Sequence, residues 1–495
     1  MRAVILMFDS LNRAYLPGYS EQALDLPNFE RLLDCSVRFT NCYTGSLPCM
    51  PARRDMHTGR YNFLHRSWGP MEPFDDSVFQ TLSTAGIHTH LVSDHYHYWE
   101  DGGATYHNRY SSWEIVRGQE GDHWKAHLPM PEEPDHYGKW TAYDWVNREY
   151  TRSDSTFPQT VTLESGIAFI DKNAEADNWL LQIETFDPHE PFFLPEEYQK
   201  DVNDGYQGKH FDWPPYTRVT EPPEAVEHAR EMYRSLLKVC DRSLGRVLDA
   251  FDRHNLWGDT MLVVCTDHGF LLGEHGWWAK GIQPYYNELA HIPFFIHDPS
   301  GAVAPDGAST RDDLVQLIDL APTLLSFFAV SPPSADMTGR DLRSVESQRD
   351  SVIFGMFNGH INLTDGRYVY MRAPEHKHSV PLYNYTLMPT HMRRPFPVAE
   401  LRAAELHPPF RFTKGCPVLK VPAPDGMPGG ERMEPQETLL FDLAADPGQE
   451  RPLRDAELER QLCRTMRSHL DRHDAPAELY ARFGLNDHQR AQDGS

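Results

Sequence analysis

Four places in this 495-residue chain put carboxylates and imidazoles directly after a short apolar run. Val4–Phe8 is followed by Asp9 and Ser10, and Ile87–Val92 by Ser93-Asp94-His95-Tyr96-His97. Trp179–Phe186 is followed by Asp187-Pro188-His189, and Met261–Cys265 by Thr266-Asp267-His268-Gly269. Each apolar run has the length of a buried strand. Ligands of open α/β sheets bind beyond the carboxyl ends of their strands. A single strand-end Asp would carry little weight, because Asp and His are ordinary loop residues. Four strands delivering Asp, three of them with His as well, point to one converging site. Its residue types suit a divalent cation and proton transfer.

A fifth element carries a more specific pattern. Cys49-Met50-Pro51-Ala52-Arg53 reads C-x-P-x-R and is followed by Thr58-Gly59-Arg60. Here the sequence closely resembles the type I sulfatases of the alkaline phosphatase superfamily. The likeness runs along most of the chain. Asp187-Pro188-His189-Glu190-Pro191 resembles the family's P-H-x-P loop. Asp267-His268-Gly269 through Gly273-Glu274-His275-Gly276 to Lys280 resembles its D-H-G…L-G-E-H-G…K block. Asp319–Leu324, Asp365-Gly366-Arg367-Tyr368 and Phe441-Asp442-Leu443 resemble its later structural segments.

The resemblance implies that a formylglycine-generating enzyme oxidises Cys49 to formylglycine, the nucleophile. The hydrated aldehyde would attack sulfur through one oxygen, and the second would then expel sulfate. Asp9, Asp267 and His268, with residue 49, would hold one divalent metal ion, Ca²⁺ first, with Mn²⁺ or Mg²⁺ as alternatives. The chemistry of the residues agrees. An anionic ester repels a nucleophile, so the site needs a cation and fixed positive groups at the non-bridging oxygens. Arg53 lies one helical turn after Cys49 if a helix starts there, and could clamp the nucleophile and an anionic oxygen together. Lys280 would be a second cationic clamp, and His189 is the best-placed general acid for the leaving alkoxide.

Two departures stand out. Most sulfatases carry two adjacent aspartates after the first strand; here the second is Ser10, with Asn12 as a substitute oxygen ligand. Family members that hydrolyse phosphonate monoesters or phosphodiesters often share that loss. Many sulfatases also follow the Thr89 strand with G-K-x-H, whereas this chain has Asp94 at the Lys position. Either His95 or His97 could take the histidine role, and the spacing does not choose. The stretch Trp99–Trp145 is rich in aromatic and charged residues, including Tyr106, His107, Trp113, Asp122, His123 and Trp124. Substrate stacking and structural packing explain it equally well.

These residues need elements to position them. Helical patterns at Asn28–Leu33, Ser77–Ala85 and Glu224–Phe251 alternate with the strands above and with Pro293–Ile296. The alternation predicts an α/β fold with a large mostly parallel central sheet flanked by helices, and the resemblance implies an alkaline-phosphatase-like sandwich. A catalytic unit of residues 1–371 and a smaller C-terminal α+β subdomain of 372–495 are expected. Pro381–Val421 and Pro422–Gly430 read as extended loops, Thr438–Leu443 as a strand, Asp455–Arg472 as a helix, and Asp487–Ser495 as a loose tail.

Composition excludes other classes. Lys and Arg total 47 against 72 Asp and Glu, a net charge of −25, which disfavours a nucleic-acid binder or a protein of anionic membranes. No apolar run spans a bilayer, and the N-terminus reads as a strand rather than a signal peptide. Seven cysteines without C-x-x-C argue against disulfides and structural zinc, and for the cytoplasm. The expected function is hydrolysis of a small anionic ester, a sulfated sugar or an alkyl or aryl sulfate. A phosphonate monoester or phosphodiester hydrolase is the alternative, and a non-catalytic binding protein the second. Homo-oligomers are common in the family.

Overall fold

Every interior residue of the first strand is apolar because the fold buries both of its faces. In β1 (Arg2–Phe8), Val4, Leu6 and Phe8 enter one core, and Ala3, Ile5 and Met7 enter the other. A strand covered on both sides shows this continuous run rather than alternation. The computed structural model describes residues 1–200, 202, 204–344, 349–376, 380–423 and 437–486. The loop read at 424–430 and the tail at 487–495 lie outside the described residues.

The other strands of the central sheet are β2 (Val37–Tyr43), β3 (His88–Ser93), β4 (Ser112–Ile115), β5 (Trp179–Thr185), β6 (Thr260–Cys265), β7 (His291–His297), β8 (Thr310–Arg311) and β9 (Val315–Gln316). Their order is β8–β2–β7–β6–β1–β5–β3–β4, with β9 also on β2. β1 lies parallel between β5 and β6, and β3 is parallel to β5 and β4. The strand expected around Pro293–Ile296 forms as β7, but it runs antiparallel to both β6 and β2. Register brings the reactive ends level. Met7 stands opposite both Glu184 and Cys265, and Glu184 opposite Ser93, so Asp9, Asp94, Asp187 and Asp267 leave the sheet at one edge.

Helices α1 (Pro27–Cys35), α2 (Cys49–Thr58), α3 (Val78–Thr84), α4 (Pro158–Asn173), α5 (Pro223–Arg253) and α6 (Leu320–Phe327) cover the sheet. α1, α4 and α5 pack on the Val4–Leu6–Phe8 face, and α2, α3 and α6 on the other. β2 and α4 were not read from the sequence. β2 mixes polar and apolar residues as VRFTNCY, and α4 lacks a clear apolar stripe.

A second sheet joins Leu439–Asp442, Tyr368–Arg372, Ile361–Thr364, Val352–Met356 and Ser46–Leu47. The 371/372 boundary drawn on composition falls inside one of its strands, and the sheet draws on both sides of it. It reaches Ser46–Leu47, two residues before Cys49. α7 (Ala456–Arg472) lays Leu462, Met466 and Leu470 on it, with Asp455 capping its first turn. The stretch 381–421, read as extended loop, instead contains the three-stranded sheet Tyr383–Thr386, Val418–Pro422 and Glu405–His407. These strands are too short and too interrupted by proline to show a period.

Candidate active site

α2 begins at Cys49 and is buried along its whole length, charged residues included. It ends at Gly59, whose φ of 61° is the left-handed conformation that glycine reaches without strain. Cys49 therefore opens the helix, and Arg53 sits one turn on, directly behind it.

Arg53 lies within a network of the strand-end acids. Its Nη2 donates to Asp9 Oδ2 at 2.9 Å, its Nη1 to Asp267 Oδ2 at 2.8 Å and to the Cys49 carbonyl at 3.0 Å, and its Nε to Glu184 Oε1 at 2.9 Å. Only 1% of it is exposed. The guanidinium fork matches planar carboxylates, and four of its five N–H donors go to this network. Arg53 positions the strand-end acids, and Lys280 brings a second cation to the same centre. Lys280 Nζ donates to Ser10 Oγ at 2.9 Å and to Cys49 Sγ at 3.3 Å, and lies 3.7 Å from Asp9 Oδ1.

Asp9, Cys49, Asp267 and His268 form one cluster whose ligand atoms all lie within 4.8 Å of one another. Burial alone would raise the Asp9 pKa, but Lys280 and Arg53 overcome it and hold the carboxyl well below its usual value. His268 Nδ1 donates to the Gly269 carbonyl at 2.8 Å, and burial keeps the ring neutral. Its Nε2 lone pair therefore faces the cluster, 3.3 Å from Cys49 Sγ. The donor set is mainly carboxylate oxygen, which suits a hard divalent ion. The charge balance suits one as well. Three buried carboxylates, Asp9, Asp267 and Glu184, face two buried cations, Arg53 and Lys280. The centre fits a divalent metal.

Asn12 stands apart from this cluster. Its amide oxygen accepts from Ala14 N at 2.8 Å and its amide nitrogen donates to the Phe270 carbonyl at 2.9 Å, so the side chain braces the loop. Ser10 does more than its reading as a lost ligand allowed. With φ at 63°, its hydroxyl donates to Asp9 Oδ1 at 2.7 Å and its backbone N–H donates to Asp267 Oδ1 at 3.0 Å. It thus ties both acids to Lys280.

His189 lines a cavity of about 720 Å³ that opens above Cys49 and Lys280. Its Nδ1 donates to the Glu190 carbonyl, leaving Nε2 for the cavity. Burial and Lys280 push its pKa well below the usual histidine value. His97 also lines the cavity, against Trp68. His95 lies deeper: it is fully buried, both ring nitrogens lack hydrogen bonds among the described residues, and Nε2 is 4.0 Å from Asp9 Oδ2. Asp94, at the family's Lys position, turns away from the nucleophile. It accepts from Phe186 N at 2.7 Å and from Gln119 Nε2 at 3.0 Å, and burial pushes its pKa up to about 7.

The aromatic stretch divides between its two readings. Trp99, Glu100, Asp101, Asp122 and His123 line the cavity. Tyr106 instead packs behind α2, and Trp124 packs against Tyr150. Two groups were missed. Glu184 holds Arg53, and Tyr98 donates to it at 3.0 Å. Its signal was present: Gln182 and Glu184 are polar positions two apart in the buried strand β5, hence on one face. Arg393 reaches the cavity from the C-terminal part, and nothing in its local sequence marks it.

A family model described as Sulfatase matches residues 2–330. The chain belongs to the sulfatase family. It is 24% identical to the arylsulfatase of Clostridium perfringens over 390 residues, 70% of this chain and 79% of that one. It is 24% identical to the choline-sulfatase of Rhizobium meliloti over 392 residues, 72% of this chain and 71% of the relative. The phosphonate monoester hydrolase of Agrobacterium radiobacter shares the fold at a TM-score of 0.66 and 16% identity, over 95% of this chain and 96% of that one. This sulfatase is a sulfuric ester hydrolase by family. Among its described residues, no helix is long and apolar enough to cross a membrane.

Proposed function

We propose that this sulfatase cleaves small sulfate esters through a formylglycine made from Cys49, with one divalent metal held by Asp9, Asp267, His268 and residue 49. One observation carries the reading: Lys280, His268 and Asp9 all converge on the Cys49 side chain at the floor of the cavity. The Cys49 sulfur stands in for the oxygens of the hydrated aldehyde. Formylglycine supplies one oxygen to attack sulfur and a second to release sulfate. A bound divalent ion supplies positive charge at the non-bridging oxygens.

The chain's own groups do the rest. Lys280, held by its hydrogen bond to Ser10 Oγ at 2.9 Å and lying 3.7 Å from Asp9 Oδ1, fixes a cation beside the reacting centre. Arg53 and Ser10 keep Asp9 and Asp267 aimed at one point. His189 faces the leaving oxygen across the cavity and delivers its proton. The anionic ester favours the protonated imidazole that burial beside Lys280 disfavours.

Mass spectrometry of the peptide containing Cys49 tests the modification, and elemental analysis of the purified protein tests the metal. Cys49→Ala should abolish turnover with the melting temperature kept, and residual turnover there would remove the nucleophile. Cleavage of phosphonate monoesters or phosphodiesters is the second reading. Ser10 in place of a second aspartate and the inward-turned Asp94 favour it, since both alter the charge around the reacting group. Parallel rates on aryl sulfate, phosphonate and phosphodiester esters decide between the two.

A further inference from the structure

Glu190 is a buried acid that neither the metal cluster nor Arg53 uses. It sits between Pro188 and Pro191 in the loop that leaves β5, and it is fully buried. A carboxylate withdrawn from water is costly unless other groups meet it. Two groups do. Tyr216 Oη donates to Glu190 Oε1 at 2.6 Å, and Glu190 Oε2 lies 3.2 Å from His189 Nδ1.

Separate segments fix both contacts. Phe192 N donates to the Asp212 carbonyl at 2.7 Å, which binds the loop to the segment that carries Tyr216. Lys139 Nζ stands over the Tyr216 ring at 3.5 Å. On the histidine side, His189 N donates to the Phe186 carbonyl at 3.0 Å, and the Phe186 ring packs against the imidazole with centroids 4.1 Å apart. The imidazole is thus held on its face and at Nδ1, with Nε2 left to the cavity.

This geometry bears on proton delivery. Nδ1–H is bound to the Glu190 carbonyl, so the ring can give a proton to the cavity only through Nε2. To give one it must first be charged, and burial beside Lys280 opposes that charge. A carboxylate 3.2 Å from Nδ1 works against Lys280, because an opposite charge at that distance favours the imidazolium. The effect is mutual. Burial pushes the Glu190 carboxyl up to about 7, while Lys280 and the Tyr216 hydrogen bond pull it down, and a charged imidazole adds to that pull.

We propose that Glu190 is the positioning residue of the general acid: fixed by Tyr216, its carboxylate orients the His189 ring and stabilises the imidazolium until Nε2 passes its proton to the leaving oxygen. As the ester bond breaks, its electron pair stays on the leaving oxygen, which takes the Nε2 proton and departs as a hydroxyl group. The ring returns to neutral with Nδ1–H still on Glu190. The proposal rests on the assignment of His189 as the acid.

The test is steady-state kinetics of the matured, metal-loaded enzyme on a series of aryl sulfates. The series runs from 4-nitrophenyl, a good leaving group that needs little protonation, to 4-methoxyphenyl, a poor one. A matching series of aryl phenylphosphonates is run alongside. Glu190→Gln keeps the volume and an acceptor for Tyr216 but removes the charge. It should lower kcat about tenfold more on the 4-methoxyphenyl ester than on the 4-nitrophenyl ester, with KM of both within about twofold. Tyr216→Phe leaves the carboxylate in place but loose. It should shift the same ratio in the same direction by about threefold, and it reads the same contact if Glu190→Gln folds poorly. A merely structural role would slow both esters alike. His189→Ala separates failure of the proposal from failure of the reading beneath it. If His189→Ala shifts the ratio while Glu190→Gln and Tyr216→Phe do not, the proposal alone is overturned. If His189→Ala leaves the ratio unmoved, or the wild type turns over neither series, the assignment of the acid falls and takes the proposal with it.

Discussion

Arg53 shows how far a residue's role depends on what surrounds it. Its position in C-x-P-x-R suggests a clamp on the substrate, yet Asp9, Asp267, Glu184 and the Cys49 carbonyl take four of its five N–H donors. A lysine ends in a single ammonium, so it cannot reproduce the separate bonds that three guanidinium nitrogens make to three carboxylates. Arg53→Lys should therefore lower kcat/KM by roughly 10³-fold and release metal, because Asp9 and Asp267 lose their alignment. Breaking a buried charge network of this kind costs about 3–5 kcal/mol, so the melting temperature should fall as well. Rates and metal content measured on one preparation check both; full metal content with wild-type rates would return Arg53 to a peripheral place.

At the scale of elements, α2 is the part that links stability to the site. It is a helix without an amphipathic pattern, because every side is covered and its polar residues are met by partners. His57 is one of them. Its Nδ1 is 2.9 Å from Ser77 Oγ, and burial lowers its pKa to about 3 from the ordinary 6.5. Between those values the unfolded chain binds a proton that the folded one does not, so this histidine's share of stability is lost as pH falls below 6.5. His57→Gln cannot titrate. It should melt below the wild type at pH 7.5, and the gap should narrow by pH 5. Differential scanning fluorimetry across that range reads it, and a gap that widens would contradict the buried neutral state.

The whole molecule adds two further expectations. The second sheet pairs Tyr368–Arg372 with Leu439–Asp442, and α7 covers Ile353, Leu363 and Tyr370. Truncation after residue 371 would strip that apolar face and remove Arg393 from the cavity. The truncated chain should fail to give a cooperative melt, as followed by circular dichroism; a sharp transition would mean that the first part folds alone. The net charge of −25 works against capture of an anionic ester, while Lys280 adds local positive charge to the pocket. Raising salt from 10 to 150 mM screens the long-range part first. The value of kcat/KM should rise about two- to fivefold over that range, and a steady fall would show that local attraction governs capture.

Motifs and strand ends were legible in the sequence because they are local. A buried parallel strand must be an apolar run, and its carboxyl end must carry whatever chemistry the sheet supports. That Asp9, Cys49, His189, Asp267, His268 and Lys280 come together could therefore be read from position and resemblance alone. Glu184 was half legible, as a charge where the strand period demands an apolar residue. What only the tertiary structure decided depends on segments far apart in sequence. It turned Arg53 and Asp94 inward to serve as struts. It placed His97 at the cavity and His95 beneath it, a choice that spacing left open. It brought Arg393 from nearly 300 residues away to face Glu100. Such contacts are set by sheet register and by the burial of charge among opposite charges, and neither leaves a mark in the residues on either side.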